Sequence, residues 1–271
     1  MEAPTNAQKP TINNISAVGI IYPQFNPFRI FIEMKDSGYP RKAFATKLLC
    51  IGGNWIGTNA KSDANPRATY VREIYEELCL DRAIASTLEL TQLFGDATVN
   101  YTVAKADVPA TDEDVMDLNT IKASIAKNAA WFDDYLNFVP KTVFDRADPN
   151  NTVGDHRSLC SVFAVGLPND LWIKLERLQK KFGNLSNESI TVVTTLSEIV
   201  QTGWQTAWGQ DRVLQDFFLN KINRKPKPIP RLVCEVENFP IMDSITMTRQ
   251  AEGGFSSYDQ YLARYEVLKR P

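Results

Sequence analysis

No two cysteines of this chain form a Cys-x-x-Cys pair: Cys50, Cys79, Cys160 and Cys234 stand far apart, which argues against a zinc site. Their apolar neighbours make buried thiols the expectation, and nothing argues for disulfides. No apolar stretch is long enough to span a bilayer. The first residues, Met-Glu-Ala-Pro-Thr-Asn, lack the basic start and apolar run of a signal peptide. The expectation is a cytoplasmic protein with no membrane partner. An excess of one charge is also lacking. The net charge of −2 draws the chain neither onto nucleic acid nor onto an acidic membrane. There is no internal repeat. What remains is ordinary globular composition, with 44% hydrophobic and 23% charged residues in 271. That is enough for one generous domain, with or without an appendage.

Residues 1–14 are polar and carry two prolines, so a loose arm is expected. Apolar runs predict strands over Ile15 to Tyr22, Phe28 to Lys35 and Lys47 to Ile51, the last ending on Gly52-Gly53. A polar loop from Thr58 to Asn65 leads to Pro66, a residue suited to a first helical turn, and a helix to about Leu78. Strands are expected over Thr87 to Phe94, Ala97 to Ala104, Arg157 to Leu167 and Ser189 to Thr194. Residues 107–117 read as acidic and loop-like, yet Thr111 and Asp114 resemble a cap for a helix running to about Ala130. Asn169 reads as the cap of a helix ended by Gly183, and Thr206 to Ile222 as a last amphipathic helix. Lys-Pro-Lys-Pro-Ile-Pro at 225–230 reads as an extended linker. Beyond it stand a strand candidate, Leu232 to Val236, and a helix candidate near Tyr258 to Leu268. This order predicts an α+β fold with a sheet clamped between helices.

The informative segment is Arg72-Glu73-Ile74-Tyr75-Glu76-Glu77-Leu78. At helical spacing Glu73, Glu76 and Glu77 share one face, and Ala68, Val71, Ile74, Tyr75 and Leu78 the opposite one. Like charges three and four residues apart repel by a few tenths of a kcal/mol, roughly, so stability does not explain them. A divalent cation turns that repulsion into affinity, and hard carboxylate oxygens suit Mg²⁺ or Mn²⁺. Arg72 can reach Glu76 one turn on and hold it in orientation. The bland reading is a solvated acidic face; the pattern has a chance occurrence of roughly 1% at ordinary composition.

With the preceding strand, Gly52-Gly53 and the loop, this segment resembles the box of the Nudix hydrolase family: Gly, five residues, Glu, seven residues, Arg-Glu, an apolar residue, any residue, Glu-Glu, any residue, Gly, and an apolar residue. Three departures stand out. The interval from Gly53 to Arg72 is about five residues longer, Ala64 falls where the early Glu belongs, and Cys79 replaces the late Gly. Beyond the box, Ile15 to Tyr22, Phe28 to Lys35, Arg157 to Val165 and Val192 to Glu198 resemble the family's core segments. The resemblance implies a Nudix-like mixed sheet sandwiched between helices in residues 15–224, with an insertion over 105–150 and a linker and C-terminal extension over 225–271. It implies an Mg²⁺- or Mn²⁺-dependent hydrolase of a diphosphate bond in a nucleotide-like small molecule, such as a nucleoside triphosphate or ADP-ribose. Glu73, Glu76 and Glu77 would hold metal, Arg72 would orient, and Gly52 and Gly53 would lie against substrate. The alternatives are an RNA-cap hydrolase and a catalytically silent nucleotide sensor. A homodimer is compatible with either.

His156, the single histidine, opens a strand and reads first as structural, with a place near phosphates as the alternative. Asp155, Glu198 and the run Asp112-Glu113-Asp114 are open candidates for a general base. Trp131, Trp204 and Trp208 read as core residues before base-stacking ones. Lys221, Arg224, Lys225, Lys227 and Arg231 form a short basic run, read as a solvated linker before a nucleic-acid contact, so nucleic acid is not the favoured partner.

Overall fold

A computed structural model describes residues 14–35, 39–56, 63–80, 88–94, 97–103, 108–152, 154–202, 205–222 and 237–238. In chain order the first half contains β1 (Asn14–Pro23), β2 (Arg29–Met34), a 3-10 turn (Lys42–Phe44), β3 (Leu48–Leu49), β4 (Ile51–Asn54), α1 (Pro66–Glu77), β5 (Leu88–Phe94), β6 (Ala97–Val103) and α2 (Asp112–Asn128). The second half contains β7 (Ala130–Val139), α3 (Lys141–Ala147), β8 (His156–Leu167), α4 (Asn169–Phe182), β9 (Ile190–Thr195), α5 (Leu196–Thr202), α6 (Gln210–Ile222) and β10 (Glu237–Asn238).

The main sheet is mixed, in the order β10-β7-β8-β1-β2-β3, with β4 also on β1 and β9 also on β2. β1 and β8 run parallel over ten register pairs, from Asn14 with Ser158 to Pro23 with Leu167; the other pairings are antiparallel. Among the described residues β5 and β6 pair only with each other.

The alternation of side chains along a strand sorts β1 into two cores. Val18 and Ile20 face Val213, Leu214, Phe217 and Phe218 of α6 and Ile199 of α5. Ala17 and Ile21 face Tyr70 and Ile74 of α1, Leu118, Ile121 and Ile125 of α2, and Trp172 and Leu175 of α4. A sheet buried on both faces between helices is therefore present. Among the described residues no helix is long and apolar enough to cross a membrane.

Local chemistry explains the element ends. Asn65 accepts from the Ala68 amide with Pro66 in the first turn of α1. Thr111 and Asp114 form a reciprocal capping box on α2, so the acidic stretch is helical from Asp112 rather than a loop to 117. Gly183, at φ 72°, closes α4. Its opening differs from expectation: Pro168 precedes the helix without a side-chain cap, and Asn169 is already helical. The last helix starts at Gln210 rather than Thr206, because Trp208 and Gly209 both have positive φ, 56° and 69°. The expected strand over Lys47 to Ile51 is two short strands, and Gly52-Gly53 lies inside the second. β7, within the expected insertion, pairs with β8 in the main sheet. The linker at 225–230, the strand candidate Leu232 to Val236, the helix candidate near Tyr258 to Leu268, and Cys234 and Trp204 lie outside the described residues.

Candidate functional site

Helix α1 rests on the sheet through Tyr70, Ile74 and Leu78. Tyr70 crosses above Gly19 of β1, where any Cβ would overlap its ring, and it stacks on Phe163 at 5.4 Å. Positions 70, 74 and 78 define an inward stripe at i, i+4 and i+8, and Glu77 falls inside it. The three carboxylates therefore do not share one solvated face. Glu77 is 2% exposed, the Glu73 side chain 12% and the Glu76 side chain 55%. Tyr75, expected on the apolar face, points outward and is 49% exposed. The stripe is led by Tyr70, whose bulk sets the roll of the helix; that places Glu77 under α1 and Tyr75 outside.

Arg72 ties the site together. Its Nε and Nη2 donate to the two carboxylate oxygens of Asp63, each at 3.0 Å, and Nη2 also donates to the Asn54 carbonyl at 2.7 Å. Nη1 reaches Glu76 at 2.7 Å and Glu73 at 2.8 Å. Asp63 accepts further from the Ile56 amide and the Thr69 hydroxyl. Burial pushes the Asp63 carboxyl up, but these donors, Arg72 foremost, hold it below the usual carboxylate range. Asp63, one position before Ala64 in a polar loop that carries no sequence signal for it, is thus the anchor of Arg72.

Gly52, at φ 143° and with a Cβ position blocked by the Ala17 carbonyl, can only be glycine. The Cβ of any larger residue at 53 would run into the Glu73 carboxylate. The expected glycine pair therefore seats Glu73 against β4.

Beneath Glu77 lies a charge cluster that periodicity alone could not find. Glu33 of β2 and Lys35, the residue just past its end, form an ion pair at 3.0 Å, both almost wholly buried. The Ser189 hydroxyl donates to Glu33. The β9 approach also brings in Glu188, an exposed residue of the 184–189 loop. That loop is stitched to the end of α1 by Cys79 N to Leu185 O at 2.9 Å and Asn187 N to Glu77 O at 3.3 Å. Burial, then the neighbouring Glu33, pushes the Glu77 carboxyl well up, against the pull of Lys35. Burial likewise raises Glu73 despite Arg72. Lys35 stays firmly charged, because Glu33 and Glu77 outweigh its burial.

These groups border a cavity of about 560 Å³. Glu73, Glu76, Glu77, Glu188 and Lys35 line it, as do Tyr39, Arg41, His156 and Trp208, and the Lys35 ammonium, 5.7 Å over the Tyr39 ring, joins the two groups. His156 thus lies at the cavity rather than only in the strand framework. Burial and the Arg41 charge lower its pKa to about 4. The other base candidates are engaged elsewhere. Asp114 is buried between Arg177 and Lys181, Asp155 accepts from the Lys141 amide, and Glu198 accepts from the Thr195 amide. Neither Asp112 nor Glu113, both exposed on α2, lines this cavity. Trp131 packs against the core on the α1 side. Of the basic run only Lys221 is described, and its ammonium lies 5.7 Å over the Tyr22 ring.

Among the described residues no three acidic, histidine or cysteine side chains converge closely enough to hold a metal ion; Arg72 draws Glu73 and Glu76 toward itself. The donor chemistry nevertheless fits a hard divalent cation. One Glu77 oxygen, Oε2, is buried with no hydrogen-bond partner, an arrangement that is costly when left uncompensated. Around this cavity Glu33 pairs with Lys35, and Asp63, Glu73 and Glu76 pair with Arg72, while Glu77 and Glu188 form no ion pair among the described residues, so carboxylates outnumber these two cations.

No protein-family model matches the chain, and a search of curated proteins finds no match.

Proposed function

We propose that this chain is a cytoplasmic Mg²⁺-dependent hydrolase that cleaves a diphosphate bond in a nucleotide-like small molecule. The observation that carries the reading is Glu77: a buried carboxylate with an unpartnered oxygen, at a cavity it shares with Glu73 and Glu76. A buried carboxylate of this kind serves function rather than stability. Glu73, Glu76 and Glu77 would hold the metal, which when bound neutralises phosphate charge and activates water. The protein's own groups do the rest. Lys35 keeps a fixed positive charge at the cavity to offset phosphate oxygens. Arg72, anchored by Asp63 and Asn54, fixes the orientation of Glu73 and Glu76. Gly53 leaves room for Glu73 beside β4. Glu188, exposed at the rim, accepts the proton of the attacking water on its carboxylate. Its place in the loop after α4 makes it the base in preference to Asp155 or Glu198, which are tied to backbone amides.

A second reading, a nucleotide sensor without turnover, draws support from the engagement of Glu73 and Glu76 by Arg72. An RNA-cap hydrolase has no comparable observation behind it. The deciding experiment is a phosphate- and nucleotide-release assay over nucleoside triphosphates, ADP-ribose and dinucleoside polyphosphates with Mg²⁺. Release of a nucleoside monophosphate supports the hydrolase; binding of several nucleotides with release from none moves the assignment to a sensor.

A further inference from the structure

The cavity wall away from the carboxylates holds four side chains that diphosphate cleavage does not use. The Trp208 indole stacks on Phe44, with ring centroids 3.8 Å apart and planes at 29°. The Arg41 guanidinium lies over the same indole, 5.2 Å from its centroid. His156 leans against it at 4.6 Å, and Tyr39 stands beside Arg41 in the chain and in the cavity lining. Trp208 adopts a φ of 56° that non-glycine residues avoid, a backbone cost typical of groups held in place for a task. Among the described residues no carboxylate pairs with Arg41. The guanidinium is turned to Trp208 and, among those residues, its donor edge carries no carboxylate; planar guanidinium groups both stack on and hydrogen-bond to heterocycles.

The wall does not suit a second phosphate. Of its two cations, Lys35, which lies 5.7 Å over the Tyr39 ring, is already paired with Glu33, and the histidine beside Arg41 is neutral near pH 7 because burial and Arg41 keep it deprotonated. Asn14, Ser16, Asn137, Ser158 and Gln210, which also line the cavity, are uncharged. Spacing matters too. Gly53, against which Glu73 sits, is on β4; His156 opens β8; β1 lies between them. In register, Gly53 is level with Ala17 and Ser161, five residues along β8 from His156; at roughly 3.3 Å per residue along the strand and roughly 4.8 Å per strand step, the wall is reached only by a ligand longer than a diphosphate.

We propose that Tyr39, Arg41, His156 and Trp208 form the subsite for a heteroaromatic base, and that Arg41 makes the site prefer a ring edge with two acceptors, as in guanine, over adenine. The inference rests on the diphosphate reading of the other side. Arg41 has donors only, and a donor fork matches the adjacent O6 and N7 acceptors of guanine, whereas adenine places an amino donor at that edge.

Calorimetric titration of the full chain in Mg²⁺ tests it with three uncleavable probes: α,β-methylene guanosine diphosphate, its adenosine counterpart, and ring-free methylenediphosphonate. The guanosine probe should bind about tenfold tighter than the adenosine probe and tighter still than the ring-free one. Arg41→Ala should erase the guanine preference and leave the ring-free probe unchanged. Arg41→Lys should not restore it, because an ammonium lacks the planar fork. Trp208→Leu should weaken both nucleosides about tenfold, with circular dichroism confirming the fold. Equal binding of all three probes, or a guanine preference that survives Arg41→Ala, overturns the base subsite while leaving the hydrolase reading intact. Failure of every probe, the ring-free one included, overturns both.

Discussion

The two sides of the cavity are built in opposite ways. The acidic side has a local nucleus: Arg72, Glu73, Glu76 and Glu77 fall within six consecutive residues of one helix, to which the fold adds Glu33, Lys35, Asp63 and Glu188. The aromatic side is assembled from three distant segments, with Tyr39 and Arg41 before the 3-10 turn, His156 at the start of β8 and Trp208 before α6. They meet only because β8 runs parallel beside β1 and because Leu48 of β3 bridges Thr206. The acidic side is also electrostatically loaded, with more carboxylates than cations, while the aromatic side keeps its histidine neutral. A motif can announce where charge is concentrated; it cannot announce what the fold sets opposite.

The largest expected effect breaks the acidic side. Glu77→Gln should lower turnover on the order of 10²-fold or more, as loss of an electrostatic catalytic element does. The fold should hold, since the change is nearly isosteric and removes a buried charge rather than a contact. Without metal the melting temperature should stay level or rise slightly. The rise in melting temperature on adding Mg²⁺, which follows from linkage, should shrink sharply. A variant that keeps full turnover would move the site elsewhere.

Arg72→Ala comes next, and the structure makes it more damaging than an orienting role implies. It strands Asp63, a largely buried carboxylate with two charged contacts to Arg72. Removing one partner of such a pair costs about 3 kcal/mol or more. Denaturant unfolding should show that loss alongside reduced turnover; an unchanged midpoint would mean that the Asp63 pair is not a structural anchor. Gly53→Ala should be milder on the fold but should push the Glu73 carboxylate off β4, lowering turnover about tenfold on the scale of misplaced catalytic groups. Normal kinetics in that variant would separate Glu73 from the chemistry.

The smallest effect belongs to the other side. His156 has a folded pKa of about 4 against 6.5 for the free group. The folded chain then binds fewer protons than the unfolded chain between those values. Its neutral imidazole contributes stability that is fully present above about pH 6.5 and lost as pH falls toward 4. His156→Asn should flatten the melting-temperature profile between pH 6.5 and 4 relative to the unmodified chain. Parallel profiles would show that the histidine is not held neutral.

How much of this was readable beforehand follows from the same contrast. Strands over 14–23, 29–34 and 156–167 announced themselves as apolar runs, and Thr111 with Asp114 and Gly183 marked helix ends by side-chain chemistry that acts over three or four residues. β7 went unread because Trp131 and Asp133 flank a register shift that breaks its alternation. Glu77 was legible as a residue but not as a buried one, since its burial depends on how Tyr70 settles over Gly19. Asp63, Lys35 and Glu188 carried no signal: one lies in a polar loop, one ends an apolar strand, and one sits in a turn. Their roles arise from contacts across 9 to 150 or so positions, which no local period encodes.

In the proposed hydrolase the carboxylates of α1 hold a divalent cation for diphosphate cleavage. The decisive measurement is turnover of a nucleotide panel by chelator-treated protein, followed as Mg²⁺ is titrated back. The expected result is no release of nucleoside monophosphate in chelator, saturable activity as Mg²⁺ returns, and its loss in Glu77→Gln under the same titration. Full turnover in chelator, or equal Mg²⁺ activation of the Glu77→Gln variant, would contradict it.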